Sequence, residues 1–284
     1  MEANALLMES AGVRVRRVYY LPDTIGAYEF ACTLAPASLT VPTERAADIA
    51  ATVTASQPTG LMWSVDGGAA YGTVTPTTAG GARVRAASSL DPARYTPATV
   101  DVLPGIRIVA AAATGTPAVP GLPSANAGQV IEIVIPPEVH TITNQGFSSV
   151  QVEFETLRPK AGGGCESAVL PVAATVAPGL LSLTATVPAC AAPRGWVRVP
   201  GHGSAELQIV PAVTSLDGDR AADPDVTVRG NGFGCGQTDV LVDGAPVAAD
   251  SVTCGSAHLA LWPLQNAQLV MRTVGGSSAP VAVP

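Results

Sequence analysis

Val226-Thr-Val-Arg-Gly-Asn-Gly-Phe233 alternates apolar and polar side chains, then breaks into Gly230-Asn231-Gly232 ahead of a large apolar anchor, Phe233. Alternation predicts a half-buried strand, and Gly-Asn-Gly supplies the positive-φ positions that a tight turn or bulge requires. Downstream come Asp239–Val242, the hairpin signal Asp243-Gly244, Ala257–Pro263, Gln268–Val274 and Ala279–Val283. Short strands spaced by about ten residues and punctuated by turn chemistry are the pattern of a β-sandwich.

Taken in order, several elements of residues 211–284 resemble an IPT/TIG domain, an immunoglobulin-like sandwich. They are the opening Pro211–Leu216, the G-N-G-F element, the V-x-V-D-G hairpin at Val240–Gly244, the L-x-L-W-P strand end and the final V-x-T-V-G-G-S-S. The resemblance implies a fold, with Phe233 and Trp262 as core anchors. It implies little about function, because one fold hosts many.

Residues 124–210 repeat the pattern. Ile131–Ile135, Thr143-Asn-Gln-Gly-Phe147 and Val150–Phe154 recover strand, Asn/Gly/Phe anchor and strand, so Phe147 takes the place of Phe233. Leu183–Pro188, Trp196–Val199 and Gly203–Val210 then match Leu259–Pro263, Leu269–Arg272 and Gly276–Val283. A second, divergent TIG-like domain is expected here, with Pro136–His140 as an insertion or bulge. Ala110–Pro123 is small, uncharged and Pro-rich, and predicts an extended, semi-rigid linker over 111–123. Before it, residues 36–110 again read as a sandwich. There Leu61-Met-Trp-Ser-Val-Asp-Gly-Gly68 followed by Gly72-Thr-Val-Thr75 is similar to a bacterial Ig-like (Big) domain, which implies a core role for Trp63. An exposed, sugar-stacking Trp63 is the alternative. Ser88–Pro97 holds two prolines and reads as a loop. Residues 1–35 contain the strand candidates Val13–Tyr20 and Tyr28–Leu34. They pair with the first sandwich or, with Val13, Val15, Val18 and Tyr20 as the contact residues, form an arm that adds a strand to a neighbouring subunit.

Composition agrees with this class and excludes others. Only 13% of residues are charged and 4% aromatic, with 29 Gly and 25 Pro, which disfavours long helices; 47% hydrophobic content is ample for packed cores. A net charge of −7 gives no basic footprint for nucleic acid. The uncharged run from Ser167 to Pro193 is interrupted by prolines and alternates Thr with apolar residues, so strands explain it better than a membrane span. Met1–Met8 lacks the basic start and apolar run of a signal peptide. The expectation is a chain exported after processing or without a signal, the second case suiting a virion component.

The five cysteines fall at 32, 165, 190, 235 and 254. Two per C-terminal domain suggest intradomain bridges, Cys165–Cys190 and Cys235–Cys254, with Cys32 left over, although sequence does not fix connectivity. Free thiols in a reducing compartment are the alternative. No C-x-x-C supports zinc. The histidines His140, His202 and His258 stand apart, Gly201-His-Gly-Ser204 lacks the G-x-S-x-G context of a nucleophile elbow, and the glycines of 230–236 precede no helix that would cradle a phosphate. Lys160, the one lysine, sits on a Pro-Lys-Ala-Gly-Gly loop and is not given a Schiff-base role. Asp217, Asp219, Asp223 and Asp225 form the acidic cluster, a weak calcium candidate beside the simpler reading of a solvated turn.

The sequence therefore predicts an all-β protein of tandem immunoglobulin-like sandwiches in a rod-like arrangement, without catalytic machinery or cofactor. Its expected role is structural or adhesive, at a cell surface, in an extracellular filament or on a virion, and its expected partners are further copies of itself or another surface protein. A carbohydrate-binding accessory module, with Tyr71 or Tyr95 stacking on a surface glycan, and a receptor ectodomain are the other classes.

Overall fold

The computed structural model describes residues 9–10, 13–14, 18–22, 29–43, 47–56, 59–65, 68–69, 79–148, 151–160, 165–217, 225–260 and 267–283. Strands dominate, and the one helix among the described residues is Pro137–Thr143. The described chain is nearly all β, its strands packed as β-sandwiches, and it divides into two compact units. The first is Met1–Gly105 with Pro136–Asn144 and Gly201–Gly203; the second is Ile106–Ile135 with Gln145–Pro200 and Ser204–Pro284.

In the first unit a five-stranded sheet has the order Ser38–Pro42, Tyr95–Leu103, Gly80–Ser88, Leu61–Val65, Gly68–Ala69. It faces a sheet in which Ala50–Ala55 lies between Val18–Pro22 and Phe30–Ala35. Alternation does the sorting. In Ala50–Ala55 the residues Ala51, Val53 and Ala55 point inward, and in Tyr95–Leu103 so do Ala98, Val100 and Val102. Trp63, 5% exposed, packs among them with Val84, Ala86, Leu34 and Ile49. An indole of this size buries roughly 200 Å², worth on the order of 5 kcal/mol of transfer free energy. That burial leaves no ring face for a sugar.

The N-terminal segments pair with strands of this unit. Val18–Pro22 pairs in parallel with Ala50–Ala55, setting Tyr20 opposite Val53, and Val13–Arg14 pairs with Ala47–Asp48. Among the described strands Val18–Pro22 is an edge strand, with Ala50–Ala55 on one side only; Val15 lies outside the described residues. The predicted loop over Ser88–Pro97 also ends early, because the last strand begins at Tyr95. Pro97 is tolerated there for a physical reason. Thr99 N–H donates to Ala37 O at 3.0 Å, so Pro97, of the same parity, directs its missing N–H past the start of the Ser38–Pro42 strand.

The second unit contains both C-terminal sandwiches. In the first of them Arg107–Val109 runs antiparallel to Val130–Val134, then the chain crosses so that Ser124–Ala125 runs parallel to Gly203–Ile209. The strand Cys165–Val176 serves both halves, pairing with Gln151–Pro159 over its first nine residues and with Ser182–Thr186 thereafter. The expected insertion is occupied by the helix Pro137–Thr143, which belongs to the first unit and is ended by Asn144 in the left-handed conformation; Phe147, back in the second unit, is 2% exposed. The last sandwich sets Ala212–Asp217, Asp225–Asn231, Ser256–Ala260 and Ser251–Val252 against Ala245–Val247, Thr238–Val242, Gln268–Thr273 and Gly276–Ser277. Its hairpin turns on Asp243 (φ 49°) and Gly244 (φ 80°), the two positive-φ positions of a type I′ turn. Phe233, 1% exposed, packs against Val228, Val240, Leu259 and Met271; Trp262 lies outside the described residues.

Both bridges run between the two sandwiches, not within them. Cys165 joins Cys235 and Cys190 joins Cys254, with Cα–Cα separations of 6.0 and 5.0 Å. The expected intradomain pairing fails because Cys165, which opens its strand, and Cys190, Cys235 and Cys254, in turns and bends, meet across the two modules, and a disulfide needs Cα atoms only about 4.4–6.8 Å apart. The bridges close separations of 70 and 64 residues. In the chain-entropy view each alone contributes about 4 kcal/mol, and the pair less than the sum because the loops interleave.

The expected linker completes the joint. Thr116–Pro117 adds to the last sandwich by pairing with Gly276–Ser277. Gln208, fully buried, accepts from Val119 N at 2.9 Å and donates to the carbonyls of Val119 and Leu122 at 2.8 and 2.9 Å. Asn126 Nδ2 donates to Thr114 O and Val210 O at 3.1 and 2.9 Å. Gly275 has to be glycine, since a Cβ there would stand 2.1 Å from Pro193 O and 2.3 Å from Ile209 O. Peptide mapping by mass spectrometry without reductant is expected to recover Cys165 linked to Cys235 and Cys190 linked to Cys254; a Cys165–Cys190 pair would contradict this joint.

Candidate functional site

The outer face of the five-stranded sheet in the first unit gathers the most varied exposed chemistry. Since Val84, Ala86, Val100 and Val102 point inward, their neighbours Arg83, Arg85, Thr99 and Asp101 point out. Register aligns them in rows. Thr40, Asp101 and Gly81 form one, Ser38, Thr99 and Arg83 the next, then Pro97, Arg85 and Ser64, and last Tyr95, Ala87 and Met62. Gly81 contributes no side chain, which leaves a shallow groove of about 410 Å³ edged by Ser38, Thr40, Arg83, Thr99 and Asp101. At the other end the Arg85 guanidinium lies 4.8 Å from the centroid of the Tyr95 ring, a diagonal cross-strand contact. Such cation–π pairs contribute about 0.5–1 kcal/mol when exposed. Tyr95 is 48% exposed and Met62 40%. The face offers a ring, a thioether, guanidinium, hydroxyl and carboxylate groups: contact chemistry on a rigid sheet.

Sequence reading singled out Tyr95 but not Arg83, Arg85, Asp101 or Met62. The Arg-Val-Arg alternation around Val84 was the available signal, since it places two guanidinium groups on one side of a strand. What joins them to Tyr95 is the register of the sheet. Tyr71 lies outside the described residues.

The acidic cluster resolves differently. The Asp217 carboxylate is hydrogen-bonded by the Arg229 guanidinium, and Ser215 Oγ donates to it at 3.2 Å. Asp225 opens the Asp225–Asn231 strand, whereas Asp219 and Asp223 lie outside the described residues. Among the described residues no three His, Cys, Asp or Glu side chains are grouped to hold a metal. Of the histidines, His202 is buried and His258 Nδ1 lies 3.6 Å from Asp250 Oδ2. Ser204 falls within the Gly203–Ile209 strand, not on a strained turn. Cys32 is a free thiol, buried in the core of the first unit, where desolvation pushes its pKa up and the Thr96 hydroxyl opposes the shift.

The hydrogen bond from Arg229 holds the Asp217 carboxyl below its ordinary 3.8. A lowered carboxylate pKa means that folding favours the ionised form. The contribution is therefore fully present above pH 3.8 and is lost as pH falls through the lower, folded value. In an NMR titration Asp217 is expected to show a midpoint below 3.8, moving up in Arg229→Ala, with no change in melting temperature on adding calcium; an unmoved midpoint in that variant would contradict the pairing.

No family model matches the chain, and no curated protein matches it. Solved structures give remote likenesses. SGBP-B of a Bacteroides ovatus mixed-linkage glucan utilization locus, in complex with a mixed-linkage heptasaccharide, is 13% identical over 88% of this chain and 68% of its own, with a TM-score of 0.27. SGBP-B from a complex xyloglucan utilization locus in Bacteroides uniformis is 16% identical over 62% of this chain and 47% of its own, with a TM-score of 0.21. The N-terminal eight Ig domains of the Down syndrome cell adhesion molecule are 12% identical over 89% of this chain and 39% of their own, with a TM-score of 0.28. No helix among the described residues is long and apolar enough to cross a membrane. At TM-scores of 0.21 to 0.28 these likenesses say nothing of what this chain binds.

Proposed function

We propose that this chain is a non-catalytic structural or adhesive protein, a self-associating component of an extracellular filament, a cell surface or a virion. The observation that carries the reading is the doubly bridged joint between the C-terminal sandwiches. Joints between domains flex by default. Here two covalent bonds, an added strand and buried Gln208 and Asn126 abolish that freedom, which serves a molecule that transmits geometry or force. Disulfides also persist in oxidising surroundings, in keeping with work outside a reducing cytosol.

A glycan-binding module is the second reading, and the hydroxyl-lined groove beside Tyr95 is what favours it. Against it, Arg85 already covers one face of that ring, and Tyr95 is the one exposed aromatic among the described side chains. Sugar platforms depend on open aromatic faces. Electron microscopy of the full chain without reductant is expected to show ordered assemblies. Isolated particles that bind an immobilised glycan array, with binding lost in Tyr95→Ala, would overturn the structural reading in favour of the second.

A further inference from the structure

Several arginines of this chain hold carboxylates: Arg94 on Asp91, Arg194 on Glu206, Arg198 on Glu153, Arg229 on Asp217 and Arg272 on Asp239. Arg85 holds an aromatic ring instead, and its Nε is shielded from solvent with no hydrogen-bond partner. That Nε is closed to outside groups, so a carboxylate arriving at this face meets the accessible remainder of the half-buried guanidinium, where a charge-assisted bond is available. Flanking it on the same face are Tyr95 and Met62, both exposed. Tyr, Arg and Met are the residue types enriched where protein surfaces meet.

The complementary surface lies on the last sandwich. There a groove of about 380 Å³ has apolar walls including Val240, Pro246 and Val247, and it carries Asp239 and Asp250. These two side chains are 60% and 64% exposed. Asp239 is held by Arg272, whereas Asp250 faces His258 at 3.6 Å, a partner charged only when protonated. Residues 211–284 contain seven aspartates against three arginines, so this sandwich carries four of the chain's net seven negative charges.

We propose that the Tyr95–Arg85–Met62 face of one copy docks on the Asp239/Asp250 groove of the next, with Arg85 reaching Asp250. The occupant follows from charge complementarity, and the proposal rests on the self-association reading above. Such a contact is head-to-tail: each copy leaves one face and one groove free, so association propagates as an open filament unless the rotation closes a ring. Because the pair is electrostatic, association weakens as salt rises.

The test is sedimentation velocity of the full chain over a concentration series, without reductant, for the wild type and for Arg85→Glu, Met62→Glu, Asp250→Arg and the Arg85→Glu/Asp250→Arg double variant. Unchanged circular dichroism and melting temperature verify that each variant folds. The expected result is that each single substitution weakens association at least about tenfold, and that the double charge swap restores it. Met62→Glu probes the same face without touching the ring stack, so it decides the matter should Arg85→Glu fail to fold. A wild type that associates while both face variants associate equally well would overturn this contact and leave the structural reading standing. Loss in the single variants without rescue in the double would overturn the assignment of the acidic groove. A wild type that stays monomeric at every concentration would overturn both.

Discussion

Four cysteines, three in turns or bends and one opening a strand, bind two sandwiches into one body. Cys165–Cys235 and Cys190–Cys254 cross the same joint, and two bonds between a pair of modules remove the swivel that one bond would leave. The rest of the joint is arranged around that fixed separation. Thr116–Pro117 can extend the sheet of the last sandwich only because Gly276–Ser277 is held within reach. Gly275 then packs directly on the Pro193 and Ile209 carbonyls. Gln208 and Asn126, both buried, exchange hydrogen bonds with the backbone of the connecting segment. Each of these contacts is worth about 1 kcal/mol net when made and more when broken and left buried. They are too weak to create the joint and well suited to seal it.

Much of the fold was legible because its signals are local. Asp243-Gly244 announces its own type I′ turn, Val226–Phe233 announces a strand with an anchor, and Tyr95–Leu103 shows its buried face by alternation. The joint was not legible, for an equally physical reason. A small, uncharged, Pro-rich stretch has the same composition whether it hangs free or lies docked, and the side chains that dock residues 110–123 sit at positions 126 and 208. Cysteine pairing is likewise a property of space: nearest neighbours in sequence were not the cysteines that meet. On the site, Tyr95 could be picked out as an aromatic in a polar setting. Its partnership with Arg85 and Met62 depends on strand register, which alternation constrains only up to a shift of two residues.

The two units divide the work. One presents a chemically varied sheet face with a ring-stacked arginine; the other is a covalently reinforced pair of modules ending in an acidic sandwich. Directional assembly requires unlike chemistry on separate surfaces, and the locked joint between the C-terminal sandwiches spares the acidic surface the entropic cost of a compliant one. The low charge content and near absence of lysine suit the same end, leaving few solvated gatekeepers on strands and edges.

The claim on which this account rests is that the second unit, Ile106–Ile135 with Gln145–Pro200 and Ser204–Pro284, behaves as a single cooperative body. Native-state hydrogen exchange of the full chain, read by mass spectrometry across increasing denaturant, tests it most directly. The account predicts that strands of both C-terminal sandwiches, Gln151–Pro159 and Gln268–Thr273 among them, lose protection together while the bridges are intact, and separately after reduction and alkylation. Separate loss of protection with both bridges in place would contradict it.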